Sequence, residues 1–317
     1  MSIAETSIFP SVALVVVNWN TYGYTKNCLD QAAKLDYPNF EVILVDNGSS
    51  DGSGDRIQAE YPHITFLSND RNLGFTGGNN RGIDVALERG FSYIFLLNND
   101  TYFDPGFLDP LVSHMEMHPG TGAVQPLIYE SNGAKGVWHA GGVFNRFTGK
   151  TSSIKRTVDL QSPYPSQWLT GCAFLVRSTV VRQIGTLRDA YFAYFEDVDW
   201  SFRIKHAGYT LEIVPQAVLH HEVSASTKSK TKLKEGFLSP AAHYLNVRNQ
   251  FLLLKSEPIG LVKQTAWPYQ IVTGLAVLGY FVLRLRIKKL RAAADGLWDG
   301  LRDHPKSEIP PDISCYL

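Results

Sequence analysis

Four short apolar segments lie in the first hundred residues of the chain, and the apolar residues between them recur at the spacing of a helix. Each is four to six residues long and rich in β-branched or aromatic residues, which is typical of buried parallel strands. The segments are Val12–Val17, Glu41–Val45, Ile64–Leu67 and Tyr93–Leu97. Helices are predicted between them over Tyr24–Leu35, up to about Glu60, and over Asn79–Glu88. This alternation predicts an α/β domain with a parallel sheet and right-handed crossovers.

Polar loops follow three of the predicted strands at the point where each strand ends. They come directly after Val17, Val45 and Leu97. Ligands of such sheets bind in the crevice outside the carboxyl ends of the strands. Three polar loops at one edge therefore predict a ligand site there more strongly than any single loop does.

Asn98-Asn99-Asp100 ends the fourth predicted strand. A hard divalent cation takes oxygen ligands, and it takes few from the protein when phosphates supply the rest. One carboxylate beside two amides at a strand end meets that need. The alternative is a polar turn that caps the strand, because Asn and Asp are common turn residues.

The loop that begins at Asp46 carries a carboxylate, several hydroxyl groups and three glycines as far as Gly54. The carboxylate could accept a hydrogen bond from a base N–H or a ribose hydroxyl. A glycine-rich turn with a helix N-cap at Ser50 or Asp51 is the alternative. The loop lacks the GxGxxG spacing of dinucleotide-binding sites.

Glu196-Asp197 opens a predicted helix that runs to His206. Transfer to a hydroxyl group needs a base that removes its proton, and one of two adjacent carboxylates can face a pocket. The alternative is ordinary acidic charge at a helix start, paired with Arg203.

Strand segments further along end at His220-His221, where an imidazole could ligate a metal, although a lone His is more often a satisfied surface or core residue.

The charge balance and the cysteines bear on partners and location. Lys plus Arg and Asp plus Glu both number 30, so there is no basic excess for nucleic-acid binding. Cys28, Cys172 and Cys315 form no CxxC pair and no disulfide framework, which favours a reducing compartment. No basic region precedes the short N-terminal apolar run, so we expect no secretory signal and a cytoplasmic location.

The second half of the chain is less regular. Residues Ala123 to Pro165 are predicted to form added strands and an acceptor-side loop, and Pro240 to Leu254 an amphipathic helix. Gln264–Leu283 is 20 uncharged residues long, enough to span a bilayer, but it contains Pro268 and polar side chains. A basic cluster follows it, so we favour peripheral attachment at the inner face of the membrane. A plain helical tail and an oligomer contact are the alternatives.

Seven motifs occur in a fixed order: Val15–Asn20, Val45–Ser53, Asn72–Asn80, Leu97–Asp100, Gly171–Ala173, Phe195–Trp200 with Arg203, and Ala217–His221 before Ser224-Ala225-Ser226. Together they resemble the family-2 glycosyltransferases with the GT-A fold, and among these the bacterial rhamnosyltransferase-like branch. The resemblance covers about residues 10 to 255. Each motif is modest, but the full set in this order is specific.

The resemblance implies a Rossmann-like, mostly parallel sheet with helices on both faces, followed by a C-terminal helical tail. It implies a catalytic domain over residues 1–255, with a nucleotide-sugar half at about 10–125 and an acceptor half at about 126–255. Residues 256–317 would form the tail, which could associate with a membrane.

The resemblance also implies roles for single residues. Asp46 would hold the nucleotide base, and the loop from Gly74 to Asn79 would approach the ribose and diphosphate. The residues implied to bind the nucleotide sugar are Asn18, Asn20, Asp46, Gly74, Gly78, Asn79 and Asn99. Asp197 would be the general base and Glu196 its acidic neighbour.

For the metal, the resemblance implies Mg²⁺ or Mn²⁺ bound by Asp100, with His221 and Asn98 as further ligands. His221 is preferred to His220 because its spacing to Ser224-Ala225-Ser226 fits the family better. Many relatives carry an acid at the position of Asn98, so we expect weaker metal binding here in the absence of nucleotide. Trp168 and Gly171 would lie on the acceptor side, where Trp168 either stacks on a sugar or packs in the core.

The activity implied is a single displacement with inversion at the anomeric carbon. The donor expected from the branch is dTDP-L-rhamnose, and UDP-linked hexose, N-acetylhexosamine or galactofuranose are the alternatives. The acceptor would be a surface polysaccharide or a lipid-linked glycan. A non-catalytic nucleotide-sugar-binding module and a nucleotidyltransferase are the rival functions. The second would need a basic glycine-rich phosphate loop, which Asn18-Trp19-Asn20-Thr21 does not supply.

Overall fold

The computed structural model describes residues 9–131, 136–156, 161–222, 238–256, 263–305 and 310–316. Ser224-Ala225-Ser226, on which the preference for His221 rested, lies outside the described residues.

Twelve strands are present in the described ranges, and ten of them form one sheet. In chain order they are β1 Val12–Asn18, β2 Phe40–Asp46, β3 Thr65–Ser68, β4 Tyr93–Asn98, β5 Thr101–Phe103, β6 Thr121–Glu130, β7 Val137–His139, β8 Gly142–Phe144, β9 Thr151–Ser153, β10 Tyr164–Pro165, β11 Ala173–Arg177 and β12 Thr210–His221. The main order across the sheet is β10-β12-β6-β11-β4-β1-β2-β3, with β5 beside β12 and β7 beside β6. Strands β8 and β9 pair separately.

Nine α-helices connect or follow these strands in the part of the chain that the structure describes. They are α1 Tyr22–Ala32, α2 Ser53–Glu60, α3 Gly74–Glu88, α4 Leu108–Met117, α5 Ser178–Ile184, α6 Glu196–His206, α7 Pro240–Lys255, α8 Lys263–Leu283 and α9 Ile287–Arg302. Short 3₁₀ turns lie at Asp189–Tyr191 and Ser314–Tyr316.

The sheet is mixed but mostly parallel, as expected. Strands β4, β1, β2 and β3 are parallel, and so are β6 and β12. Strand β11 runs antiparallel to both β4 and β6, so those two groups point the same way. The carboxyl ends of β1, β2, β4 and β12 therefore meet the amino end of β11 at one edge, and this edge carries the site described below.

Helices cover both faces of the sheet, because each central strand alternates its side chains between two apolar layers. Leu14 and Val16 pack with residues of α1, α2 and α4. Ala13 and Val15 pack with residues of α3, α5 and α6 on the other face. The predicted α/β class is confirmed by this arrangement.

Helix α3 begins earlier than the sequence predicted. The segment from Gly74 to Gly78 was expected to be a loop, but it forms the first turn of α3. Glycine is a poor helix former, so local propensity favoured the loop. Packing overrides it: a Cβ on Gly82 would come 2.4 Å from Val15 Cγ1, and one on Gly78 would come 3.0 Å from Val17 Cγ1. The glycines let the helix lie close against β1.

The added strands expected after Ala123 are present, and the first of them is β6, a ten-residue strand whose first eight residues are buried. Gly122, Gln125 and Pro126 interrupt its apolar pattern. One other prediction was wrong in detail. The two predicted strands at Leu211 and Ala217 are one strand, β12, with an irregularity between Val214 and Val218.

Helix α7 was expected to be amphipathic, and that prediction was wrong. No residue of α7 is exposed, and its polar residues Arg248, Asn249 and Gln250 are buried. They are tolerated because each has a hydrogen-bond partner: Arg248 Nε, for example, lies 2.7 Å from Asp303 Oδ2. Helix α9 approaches α7 closely, since a Cβ on Gly296 would come 2.5 Å from the Tyr244 carbonyl oxygen. The proposed boundary between residues 255 and 256 thus falls inside a packed helical layer, and the division remains a prediction.

Within α8, residues Gln264–Leu283 have the length and apolar character needed to cross a membrane, and 22% of that window is buried. The helix packs against α7 and α9. Gln270 Nε2 also donates a hydrogen bond to the Thr148 carbonyl oxygen at 2.7 Å. These contacts tie α8 to the body of the protein, while its attachment to a membrane stays a prediction.

Candidate active site

A cavity of about 610 Å³ opens at the sheet edge where the strand ends meet. Its wall brings together ten of the predicted site residues: Gly74, Asn79, Asn98, Asn99, Asp100, Trp168, Gly171, Glu196, Asp197 and His221. The other four, Asn18, Asn20, Asp46 and Gly78, do not line it.

Asp100 and His221 lie side by side although they are far apart in the chain. Strand β12 pairs antiparallel with β5, which sets His221 opposite Thr101 and so beside Asp100. His221 Nε2 lies 3.1 Å from Asp100 Oδ1, and the two residues are only 7% and 6% exposed. The alternation of β12 sends His220 to the exposed side, where it stacks on Tyr129.

The Asp100–His221 pair has unsatisfied polar atoms. Asp100 Oδ1 and His221 Nδ1 are buried and have no hydrogen-bond partner among the described residues. Buried polar atoms without partners are rare and call for a ligand or an ion. No group of three or more His, Cys, Asp or Glu side chains among the described residues could hold a metal. One carboxylate and one imidazole could supply only part of the ligands of a hard divalent cation, and the rest would have to come from a phosphate or from water.

The amino end of α6 presents the two adjacent carboxylates. Asp197 Oδ2 accepts a hydrogen bond from Gly171 N–H at 3.0 Å, and Oδ1 accepts one from Val198 N–H at 2.8 Å. Glu196 is 6% exposed and its Oε2 has no hydrogen-bond partner. Burial raises the pKa of both carboxyl groups, and the neighbouring Asp197 charge raises that of Glu196 further.

Arg203, which the sequence offered as a partner of these acids, pairs elsewhere. Its Nε lies 2.9 Å from Asp199 Oδ2, and Arg188 Nη1 lies 2.8 Å from the other oxygen of Asp199. No cation in the described ranges lies within ion-pair distance of Glu196 or Asp197. Two uncompensated carboxylates on a cavity wall, Glu196 buried and Asp197 partly exposed, are suited to take up a proton.

The segment before α6 has an unusual backbone. Phe192, Tyr194 and Phe195 have positive φ angles of 61°, 71° and 71°, which are costly for residues other than glycine. Asn249 of α7 holds this segment: its Nδ2 donates to the carbonyl oxygens of Tyr191, Ala193 and Tyr194 at 2.8, 2.8 and 2.9 Å. Asn249 was not among the predicted site residues, and its only signal in the sequence is an amide within an apolar helical run.

The residues predicted to hold the nucleotide base contact each other beside the cavity. Asp46 accepts hydrogen bonds from Asn18 Nδ2 at 2.7 Å and from Ser49 Oγ at 2.6 Å. Asn20 Oδ1 accepts from the backbone N–H of Ser50 at 2.8 Å. These contacts brace the loop after β2 against the loop after β1. Their role in holding a base remains a prediction.

Other predicted residues are committed to contacts within the protein. Asn99 Nδ2 donates to Thr21 Oγ1 at 2.8 Å and to Thr25 Oγ1 at 2.7 Å. Asn79 Nδ2 donates to the Phe75 carbonyl oxygen at 2.8 Å. Trp168 is buried with its ring 4.8 Å from that of His139, which favours the core-packing alternative. These side chains shape the cavity wall.

Gly74 and Gly171 allow neighbouring residues to approach their backbones closely at the cavity wall. Gly74 has φ +76°, and a Cβ there would come 2.4 Å from the Phe192 carbonyl oxygen. Thr76 N–H donates to the same oxygen at 3.0 Å, so the start of α3 is joined to the segment before α6. A Cβ on Gly171 would come 2.9 Å from Phe75 Cζ. Gly74 therefore requires glycine, whereas a larger residue at position 171 would require the Phe75 ring to shift.

Two wall residues, Trp138 and His139, escaped the sequence analysis because they lie in the segment predicted to be irregular. The Trp138 ring meets that of His221 edge-on at a centroid distance of 4.4 Å. Burial lowers the pKa of His139 to about 3, so this imidazole is neutral. Its Nε2 has no hydrogen-bond partner.

More than half of the chain matches the model of a known protein family. The family model described as glycosyl transferase family 2 matches residues 13–185. An N-acetylglucosaminyl-diphospho-decaprenol L-rhamnosyltransferase of Mycobacterium tuberculosis is 31% identical over 208 residues, which is 58% of this chain and 67% of the relative. A dTDP-rhamnosyl transferase, RfbF, of Shigella flexneri is 23% identical over 253 residues, which is 80% of this chain and 82% of the relative.

Solved structures resemble the fold at low sequence identity. The crystal structure of GalNAc-T7 with UDP, GalNAc and Mn²⁺ superposes with a TM-score of 0.56 at 14% identity. The match covers 82% of this chain and 54% of that structure, so this chain spans about half its length. The similarity bears on the fold alone.

Proposed function

Because the chain belongs to glycosyl transferase family 2, we propose that it moves a sugar from a nucleotide diphosphate to a hydroxyl group of a glycan or lipid-linked glycan. Its sheet and helices form the GT-A fold. The single observation that carries the proposal is that the Asp100–His221 pair and the Glu196-Asp197 pair lie on one cavity wall.

In the proposed reaction Asp197 is the general base. The N–H groups of Gly171 and Val198 fix its carboxylate, and its raised pKa suits it to take the proton of the acceptor hydroxyl. The hydroxyl then attacks the anomeric carbon from the face opposite the nucleotide, which inverts its configuration. A Mg²⁺ or Mn²⁺ ion held by Asp100 and His221 would offset charge on the leaving diphosphate.

The proposed donor is dTDP-L-rhamnose. The support is that two similar proteins carry names that specify rhamnosyl transfer, one of them with a dTDP-linked donor. A UDP-linked sugar is the second candidate within the same reaction class. Asp100, His221 and Asp197 would act on either donor. None of the three is proposed to contact the groups that distinguish one sugar from another.

Thermal stabilisation by nucleotide sugars tests the donor directly. We expect dTDP-L-rhamnose with Mn²⁺ to raise the melting temperature more than UDP-glucose, UDP-N-acetylglucosamine or UDP-galactofuranose do. Release of nucleoside diphosphate from the best donor, measured without acceptor, separates an enzyme from a binding module. Stabilisation with no release, with or without a glycan acceptor, would favour the module.

Changing the charge at Asp100 is expected to change metal binding. Asp100→Asn removes the only carboxylate of the pair and should weaken Mn²⁺ binding by about tenfold or more, equivalent to about 1.4 kcal/mol. Asn98→Asp adds a carboxylate on the same wall and should strengthen Mn²⁺ binding in the absence of nucleotide. Isothermal titration with Mn²⁺ measures both. Equal Mn²⁺ affinities of the two variants would show that these residues do not bind the metal.

The pH dependence of kcat/KM is expected to report the raised pKa of Asp197. A base works only when deprotonated, so activity falls as the pH drops through its pKa. Because burial raises that pKa, the acid limb should lie above the value of about 3.9 of an ordinary Asp. Initial rates between pH 4 and 9 measure the limb. A profile that stays flat down to pH 4 would contradict the assignment.

A further inference from the structure

His139, in β7, lies in the wall of the candidate active-site cavity and is only 1% exposed. Its Nδ1 is hydrogen-bonded within the protein, because Gln125 Nε2 lies 2.9 Å away and the backbone nitrogen of Gly141 lies 3.2 Å away. Its Nε2, at the end of the ring remote from the backbone, has no hydrogen-bond partner among the described residues. A buried polar atom without a partner on a cavity wall calls for a ligand.

The neighbours of His139 decide which of its ring nitrogens carries the proton. The backbone N–H of Thr170 donates to Gln125 Oε1 at 2.8 Å, so it is the amide nitrogen of Gln125 that faces His139. The backbone N–H of Gly141 can also only donate, so Nδ1 accepts both hydrogen bonds. Burial lowers the pKa of His139 to about 3 and keeps the ring neutral. The single proton of the ring is therefore on Nε2, which makes Nε2 a hydrogen-bond donor.

The cavity wall around His139 suits a neutral ligand that is rich in oxygen. Trp138, His139, Thr151, Ser153 and Trp168 line this part of the cavity, the β7–β9 corner. Two of these residues carry indole rings and two carry hydroxyl groups. No Lys or Arg occurs among the described wall residues of the cavity, so an anion would find no charged partner here. Apolar ring faces with a few fixed hydrogen-bonding groups complement a sugar.

The β7–β9 corner lies between the proposed metal site and the proposed base. On one side, the Trp138 ring meets that of His221 at a centroid distance of 4.4 Å. On the other side, hydrogen bonds through Gln125 connect His139 to the segment that binds Asp197. In the proposed reaction the diphosphate lies at the metal, and the anomeric carbon faces the hydroxyl that Asp197 activates. The donor sugar would therefore occupy the space beside this corner.

We propose that the Nε2–H of His139 donates a hydrogen bond to a hydroxyl oxygen of the donor sugar and so helps to select the nucleotide sugar. This inference rests on the proposed function, because the position of the sugar follows from the proposed metal site and base. The contact acts on the sugar and not on the nucleotide. A donor without an oxygen at that position would leave the buried N–H unpaired and would bind more weakly.

Two substitutions of His139 separate the functions of its two ring nitrogens. In His139→Asn the side-chain oxygen can take the place of Nδ1, but no atom replaces Nε2. In His139→Gln the amide nitrogen can take the place of Nε2, but no atom replaces Nδ1. A contact with the sugar should therefore be lost in His139→Asn and kept in His139→Gln, whereas a purely structural role of Nδ1 predicts the reverse order.

Isothermal titration of the full chain with dTDP-L-rhamnose and with dTDP, each with Mg²⁺ and without acceptor, measures the contact. His139→Asn should raise the dissociation constant of dTDP-L-rhamnose relative to that of dTDP roughly three- to tenfold, as expected for loss of one hydrogen bond. His139→Gln should change this ratio less than about twofold. His220→Asn is the control, because His220 is exposed and does not line the cavity. If a UDP-linked sugar is the better donor, that sugar and UDP replace this pair of ligands.

Nitrogen NMR of the unsubstituted protein gives a readout that does not depend on the folding of a variant. The chain has nine histidines, and His139 should give the signals of a neutral ring protonated on Nε2 that does not titrate between pH 5 and 8. These signals should be absent from the two His139 variants. Addition of dTDP-L-rhamnose with Mg²⁺ should shift the Nε2 resonance of His139, and addition of dTDP with Mg²⁺ should shift it much less.

Three results would overturn the proposal: an unchanged ratio in His139→Asn, equal changes of the ratio in both His139 variants, or equal shifts of the Nε2 resonance with dTDP and dTDP-L-rhamnose. A loss of thermal stability at an unchanged ratio would mean that the N–H contacts only the face of Trp168, whose ring centroid lies 4.8 Å from that of His139. Binding of nucleotide sugars with an unchanged ratio overturns this inference alone. Absence of binding of every nucleotide sugar to the wild type overturns the proposed function.

Discussion

Replacing Asp197 with Asn is expected to lower kcat roughly 10²–10⁴-fold while leaving nucleotide affinity within about twofold of the wild type. The substitution keeps the size of the side chain and removes its ability to accept a proton. One carbonyl oxygen remains to accept from Gly171 N–H or Val198 N–H. Transfer rates measured at saturating donor, together with a nucleotide titration, separate the chemical step from binding.

Glu196→Gln is the matched control for this prediction. Glu196 has the same neighbours along the helix but is buried, and burial raises its pKa well above the usual range, which disfavours the deprotonated form that a base needs. Its amide replacement should therefore change kcat much less than Asp197→Asn does. A large loss in Glu196→Gln with near-normal activity in Asp197→Asn would exchange the two roles.

Replacing Asn249 with Ala is expected to have the second largest effect. The side chain donates to the carbonyl oxygens of Tyr191, Ala193 and Tyr194. These hydrogen bonds support the segment in which Phe192, Tyr194 and Phe195 have positive φ angles. The Tyr191 oxygen keeps the Ala193 N–H as a donor, but the Ala193 and Tyr194 oxygens lose theirs, at a cost of about 1–3 kcal/mol each if water does not replace it, and the strained backbone would relax. We expect a loss of a few kcal/mol in the free energy of unfolding and a fall of at least about tenfold in kcat.

Asn246→Ala, one turn earlier in α7, controls for loss of an amide from this helix. Asn246 Nδ2 donates only within the helix, to the Ala242 carbonyl oxygen at 2.7 Å. It should cost little stability. Asn249→Asp keeps the shape but offers no N–H in its ionised form, so it should resemble Asn249→Ala in kcat even where it folds. Near-normal kcat in folded Asn249→Asp would show that the segment before α6 needs no such support.

The C-terminal tail, residues 256–317, packs against the rest of the protein, and this affects how its membrane attachment can be tested. Deleting residues 260–317 would test membrane attachment if the tail were independent. The structure instead ties α9 to α7 through Arg248–Asp303 and through hydrogen bonds of Lys255 to backbone oxygens of α9 and the residue after it. Deletion would remove the carboxylate partner of the buried Arg248 and the α9 contacts of α7, so loss of protein from the membrane fraction would not distinguish detachment from unfolding. Point substitutions of exposed apolar residues of α8, such as Val272 and Leu275, avoid this.

Much of the nucleotide-side half could be predicted from local pattern. The apolar runs at Val12, Val42 and Tyr93 show their strands because buried parallel strands are short, continuous and β-branched. Helix α6 was predicted with its observed bounds, since acids at its start and bases at its end match the helix dipole. The start of α3 was predicted wrongly because its glycines allow close packing against Val15 and Val17, which lie far away in the sequence.

The sequence by itself determined that polar loops would end the strands of a mostly parallel sheet, and hence that Asp100 would stand at a ligand-binding edge. That follows from short-range periodicity, which each segment carries within itself. Only the tertiary structure decided that His221, and not His220, lies against Asp100, because strand pairing between β5 and β12 sets the register. It also decided that Asn249 holds the segment before Asp197, because a contact between residues far apart in the chain leaves no local pattern.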